Sequence, residues 1–201
     1  MLFRSKADRG LSALHVGQNF VANAVYSLPS AGSGFVSALL GGWQVAGVFS
    51  AAGGQPFSPS ITGYNAPDLA RTAGRQRPDL ANGRVAADIT HPGNPGQYFD
   101  PTAFLLAPPG FYGNAGRNIM IGPGLIDFDF SLDKNIRLHL SEASGLEFRA
   151  DFFNIFNHPN FGKPATDVLN ATSRLPIASA GLITSTSNAA RQMQFSLKLF
   201  F

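Results

Sequence analysis

The most regular pattern in this chain repeats every second residue. From Ile126 the even positions read Ile126, Phe128, Phe130, Leu132, Ile136, Leu138 and Leu140, with Lys134 the one interruption. The odd positions between them read Asp127, Asp129, Ser131, Asp133, Asn135, Arg137 and His139. Alternation over about fifteen residues is roughly three times the usual strand length. At ~3.3 Å per residue it spans roughly 50 Å, or about 35 Å along the normal of a bilayer when tilted by ~45°. The pattern predicts a strand able to cross a bilayer and its interfaces. After a short turn at 141–145 the alternation resumes, with Leu146, Phe148, Ala150 and Phe152 against Glu147, Arg149 and Asp151. The parity slips at Phe152-Phe153, which predicts a bulge or the strand end. Asn157-His158-Pro159-Asn160 ends the segment, because Pro cannot donate to a ladder and Asn favours turns. A last strand is predicted from Arg191 to the end, with Met193, Phe195, Leu197, Leu199 and Phe201 on one face and Gln192, Gln194, Ser196 and Lys198 on the other.

Two earlier segments alternate more weakly. One carries Phe20, Ala22, Ala24 and Tyr26, the other Trp43, Val45, Gly47 and Phe49. That makes about five strands. Their connections alternate in length: short at 29–42, very long at 52–125, short at 141–145 and long at 158–190. Short turns on one side and long loops on the other is the layout of outer-membrane barrels, with periplasmic turns and extracellular loops. Alternation alone does not say which face meets the solvent. Strand length, low charge and aromatic-rich apolar faces favour an apolar exterior.

Composition sharpens this expectation. Charged residues make up 13% of the chain, about half the ~25% typical of soluble domains. The 18 Phe residues speak against a disordered tail. With 22 Gly and 14 Pro the chain stays below low-complexity content, so these residues belong to turns between ordered segments. The net charge of +3 is small for a nucleic-acid binder. The nearest basic cluster, Arg71, Arg75, Arg77 and Arg84, lies among Pro, Gly and Asn and reads as a solvated loop. Zero Cys excludes disulfides and thiolate metal sites. The first residues have no apolar stretch behind a basic start, and no apolar run approaches the ~18 residues of a membrane helix.

Several motifs occur in an order that resembles TonB-dependent outer-membrane receptors, in particular those with an N-terminal carboxypeptidase-regulatory-like domain. The main one is the stretch from Phe148 to Phe161, FRADFFNIFNHPNF. Gly42-Trp43-Gln44-Val45-Ala46-Gly47, Tyr98-Phe99-Asp100-Pro101-Thr102-Ala103-Phe104 and Gly113-Asn114-Ala115-Gly116-Arg117-Asn118 fit the same group. The segment from Arg191 to Phe201 resembles its closing strand. The resemblance covers the chain from about residue 15 to its end. It implies an all-β, antiparallel transmembrane barrel of roughly 22 strands with a plug, of which residues 1–201 are a partial barrel of about the last five strands. Plug and signal peptide are then expected to be absent from residues 1–201 and to lie far upstream in a complete receptor. The energy-coupling TonB system would act only through that missing N-terminal part. The implied role is active uptake of an unidentified ligand in the cell outer membrane, with outer-membrane lipid and the barrel-assembly machinery as partners and no nucleic acid. Phe195, Leu197, Leu199 and Phe201 would carry the assembly signal.

Candidate chemistry is sparse. His15, His91, His139 and His158 are scattered, and no HExxH, Gly-x-Ser-x-Gly elbow or P-loop occurs. No enzyme activity, cofactor or metal is expected. Asp127, Asp129 and Asp133 do not make a calcium loop, because Leu132 and Leu138 stand where Gly and Glu are needed. Together with Glu147, Arg149 and Asp151 they read as a lumen-facing charged row, able to form cross-strand ion pairs. Loop 52–125 is the expected ligand-contact region, with Tyr64, Tyr98, Phe104 and Tyr112 as candidate aromatic platforms. Two alternatives remain: an oligomerising outer-membrane adhesin or structural barrel, and a secreted soluble β-sandwich binding domain.

Overall fold

The structure, a computed structural model, describes residues 9–29, 40–63, 76–108, 111–138 and 144–201. In chain order its strands are β1 (Asn19–Ser27), β2 (Trp43–Ala52), β3 (Pro56–Phe57), β4 (Ser60–Thr62), β5 (Asp79–Leu80), β6 (Phe104–Leu105), β7 (Met120–Ile121), β8 (Leu125–Arg137), β9 (Gly145–Phe153), β10 (Asp167–Asn170), β11 (Leu175–Pro176) and β12 (Gln192–Phe200). They fall into two compact units. The sheet unit holds residues 19–52, 125–160 and 188–201; the loop unit holds 1–18, 53–124 and 161–187.

The sheet unit is one antiparallel five-stranded sheet in the order β1-β2-β8-β9-β12. Its register carries the period-two pattern from strand to strand. Phe49 lies opposite both Ala22 and Phe128, Leu132 opposite Val45 and Ala150, and Ala150 opposite Phe195. One face therefore collects the apolar residues of all five strands, since a slip of one residue would turn a whole strand over. Ring pairs cross the strands on this face: Phe20 with Phe49 and Phe130 with Phe152 at 6.1 Å each, and Phe152 edge-on to Phe195 at 6.1 Å. Each such pair contributes about 0.5–1.5 kcal/mol beyond area burial.

β8 has 13 residues, so it is the longest strand; His139 and Leu140 lie outside the described residues. The parity slip at Phe152-Phe153 is a strand end and not a bulge. Pairing with β12 runs unbroken to Phe153, and Asn154 then turns left-handed at φ 49°.

Lys134, the exception on the oily face, has a local explanation. It is buried, its Nζ donates to the Gly41 carbonyl at 2.9 Å, and it lies 4.7 Å from the centre of the Trp43 ring. Trp43 also meets Phe148 edge-on at 6.4 Å. The ammonium is thus satisfied at the end of the sheet while its stem covers apolar surface. The short connections, 28–42 and 138–144, leave from this same end.

The long connections leave from the opposite end, and here the expectation of open loops is corrected. Residues 53–124 and 161–187 build a unit with its own core: Phe57, Ile61, Ile89, Tyr98, Phe99, Phe104, Met120, Val168, Leu169 and Ile183 are buried in one cluster. The strands are short, and β4 pairs in parallel with β10 across about a hundred residues of chain. β3 pairs with β7, β5 with β6, and β10 with β11. A four-residue helix, Ala86–Ile89, puts Ile89 into the core, and a 3-10 turn, Pro101–Ala103, follows Asp100, whose carboxylate accepts the Thr102 N–H at 2.9 Å. Burial of such rings, each worth about 1.5–3 kcal/mol, gives these stretches a reason to fold that their composition does not announce.

Candidate functional site

The polar face of the sheet unit carries Asp127, Asp129, Asp133, Glu147, Arg149 and Asp151, all at the parity opposite the apolar set. The six do not form a single ladder. Arg149 is the bridge between two strands: its Nε is 3.7 Å from Asp133 on β8 and 2.9 Å from Asp151 on its own strand. Ser131 completes the group by donating to Asp151 at 2.6 Å. Glu147 lies between Asn135 and Lys198 in the register. With Arg149 about half exposed, at 49%, such pairs contribute at most about 1 kcal/mol. Their larger effect is to fix which strand residues face each other.

Asp127 and Asp129 answer to amides instead. The Asn154 N–H donates to Asp129 at 2.9 Å, and the Asn188 side chain donates to Asp127 at 3.4 Å. Asn154 is one of three asparagines spaced by three residues, and each ties down backbone at or beside a strand end. The Asn154 amide exchanges hydrogen bonds with the backbone of His158, donating to its carbonyl and accepting its N–H, and donates to Ala189. Asn157 accepts from the Arg191 N–H just ahead of β12. Asn160, 1% exposed, pairs with both backbone groups of Ile126. By residue type alone Asn157 and Asn160 read only as turn formers. Three asparagines at positions 154, 157 and 160 were the signal that more was being held.

On β12, Phe195, Leu197 and Leu199 share the oily face and are 57–67% exposed. Phe201 lies beyond the strand and is 95% exposed. Phe200 takes the other parity, and its ring covers Gly145: a Cβ there would stand 2.3 Å from the ring tip.

The aromatic candidates of the loop unit separate. Tyr98 and Phe104 are buried in its core, where the Tyr98 hydroxyl donates to the Ile121 carbonyl at 2.9 Å. They present no ring face for a ligand to stack on. Tyr112 is exposed, and Tyr64 lies outside the described residues. Of the basic cluster, Arg84 pairs with Asp100, Arg77 lines a hollow described below, and Arg71 and Arg75 lie outside the described residues. Burial raises the pKa of the Tyr98 hydroxyl, whereas hydrogen bonding to Thr102 and the charge of Arg84 lower that of Asp100. Among the described residues no group of three His, Asp or Glu gathers as a metal site, and no helix is long and apolar enough to cross a membrane.

A family model described as an outer membrane beta barrel domain matches residues 2–194. No curated protein and no solved structure matches the chain.

Proposed function

We propose an uptake role for this chain, which belongs to the outer membrane beta barrel domain family and lies in the outer membrane. It forms part of the wall of a TonB-dependent receptor barrel of roughly 22 strands that imports a ligand by active transport. The supporting observation is the shared register of five strands, which gathers the apolar side chains on one face and the charges on the other. From Ile126 to Ile136 the apolar positions cover roughly 33 Å along β8 at ~3.3 Å per residue, or about 25 Å of membrane thickness at a barrel tilt of 35–45°. Lys134 and Trp43 sit at one end of this band, as an interfacial pair does. The apolar face meets lipid, and the row around Arg149 faces the lumen. β12 carries the signal for the assembly machinery on Phe195, Leu197, Leu199 and Phe201.

β1 and β12 are the edges of the sheet, and lipid does not tolerate unpaired strand edges. Further strands must close the wall. The FRADFFNIFNHPNF stretch favours a receptor as their source. The test is an immunoblot of native outer membranes with antibodies to the loop unit, with and without heating. A heat-modifiable band several times larger than 21.3 kDa is expected. A 21.3 kDa band that assembles into SDS-resistant oligomers would replace the receptor by a barrel closed from several copies.

A further inference from the structure

The loop unit contains a hollow of about 360 Å³, within the ~300–1,000 Å³ range of small-molecule sites. Five separate stretches build it: Ala13, Pro56 to Ser60, Arg77, Arg117 with Asn118, and Lys163 with Thr166. Among the described residues every charged group in its lining is a cation, namely Arg77, Arg117 and Lys163. A concave surface lined by one sign of charge focuses the field and raises the local concentration of counter-ions. Lys163 Nζ lies 5.8 Å from the centre of the Phe57 ring, whose other side belongs to the core of the loop unit. The rim is braced: Asn118, held left-handed at φ 51°, donates its N–H to Ser58 at 2.8 Å, accepts the Ser58 hydroxyl at 3.1 Å, and ties down the Leu11 carbonyl at 2.6 Å. Such bracing fixes the backbone of the rim beside Arg117 without a ligand.

We propose that this hollow binds a small anion, with its oxyanion group against Arg117 and Lys163. The site stands on the loop unit alone and does not depend on the uptake reading. A carboxylate and a phosphate satisfy the same cations, so both are tested. The full chain, folded in detergent micelles, is titrated with glucuronate, glucose 6-phosphate and glucose, with inorganic phosphate as the bare anion. In parallel, acetylation of Lys163 is followed by mass spectrometry, with Lys198 as the internal reference; the same footprint is taken on outer-membrane fractions, where no refolding is needed. At least one of the three anions is expected to bind at least tenfold more tightly than glucose. It should protect Lys163 but not Lys198 and weaken at least tenfold in the R117Q/K163Q variant. Binding should also weaken as salt rises. The relative affinity of the three anions identifies the group preferred. Equal binding of glucose, binding unchanged in the double variant, or no protection of Lys163 in either preparation would overturn the proposal.

Discussion

Asn160 serves Ile126 as a strand partner would: its side-chain carbonyl accepts the Ile126 N–H at 2.7 Å, and its amide donates to the Ile126 carbonyl at 2.9 Å. Both bonds are closed off from water by the burial of Asn160. Asn160→Ala leaves a buried donor and acceptor unpaired, and each such group costs about 1–3 kcal/mol. Asn160→Asp buries a carboxylate and sets one of its oxygens against the Ile126 carbonyl, so it should cost at least as much as Ala at neutral pH. Urea unfolding of the micelle-bound chain checks that both variants have lower midpoints than wild type. Equal midpoints for all three would mean that the pairing is unimportant.

Gly42 is fixed by its backbone. It is left-handed at φ 72°, and a Cβ there would stand 2.8 Å from the Asn135 carbonyl oxygen. The same two residues are joined by the Asn135 N–H donating to the Gly42 carbonyl at 3.2 Å. Gly42→Ala must strain the left-handed backbone and displace a backbone oxygen. A loss of about 1–3 kcal/mol is expected, seen as a lower temperature at which the folded band of the chain disappears on electrophoresis.

Phe99 is fully buried in the loop unit, 6.0 Å from Phe57 and edge-on to Phe104 at 6.0 Å. Phe99→Ala should cost about 3–5 kcal/mol, and the loss should fall on the loop unit. Limited proteolysis of the membrane-inserted chain would then cut within 53–124 and 161–187 while β8, β9 and β12 stay protected. Simultaneous loss of protection in the strands would show that the two units do not unfold separately.

Asp100 gives a pH dependence with a definite sign. Its folded pKa is lowered, first by hydrogen bonding to Thr102 and then by the charge of Arg84. A depressed carboxylate contributes stability that is present above its unfolded pKa of about 3.9 and lost as pH falls through the lower folded value. Hydrogen exchange around Thr102 should therefore accelerate below about pH 4, beyond the intrinsic pH trend of exchange. In Asp100→Asn that acid-dependent step should vanish. An unchanged profile in the variant would assign the step to another group.

The five long strands and their faces were legible because a period of two survives any tertiary context, and β8 shows it over 13 residues. The core of the loop unit was not legible. Its strands run two to four residues, too short for periodicity, and β4 meets β10 through pairs about a hundred residues apart in the chain: Ser60 with Asp167, Ile61 with Leu169 and Thr62 with Asn170. Nothing local distinguishes Tyr98 and Phe104, which pack inside, from Tyr112, which does not. Lys134 broke the pattern in the sequence for a reason that only the Gly41 carbonyl and the Trp43 ring make visible. The charged row was readable as residues sharing a face. Its division between Arg149 and the asparagines depends on turns whose geometry no spacing rule supplied.

Which face of the sheet meets lipid distinguishes a membrane barrel wall from a soluble sheet. The chain has no Cys, so single cysteines can be placed in turn at Phe130, Ser131, Leu132 and Asp133 along the central strand β8. Each variant is treated in outer-membrane vesicles, opened to admit reagent on both sides, with a charged, membrane-impermeant maleimide. Positions 131 and 133 should react and positions 130 and 132 should be shielded, with the shielding lost when the vesicles are dissolved and unfolded. Reaction at 130 and 132 with protection at 131 and 133 would put the oily face outside the lipid and contradict the account.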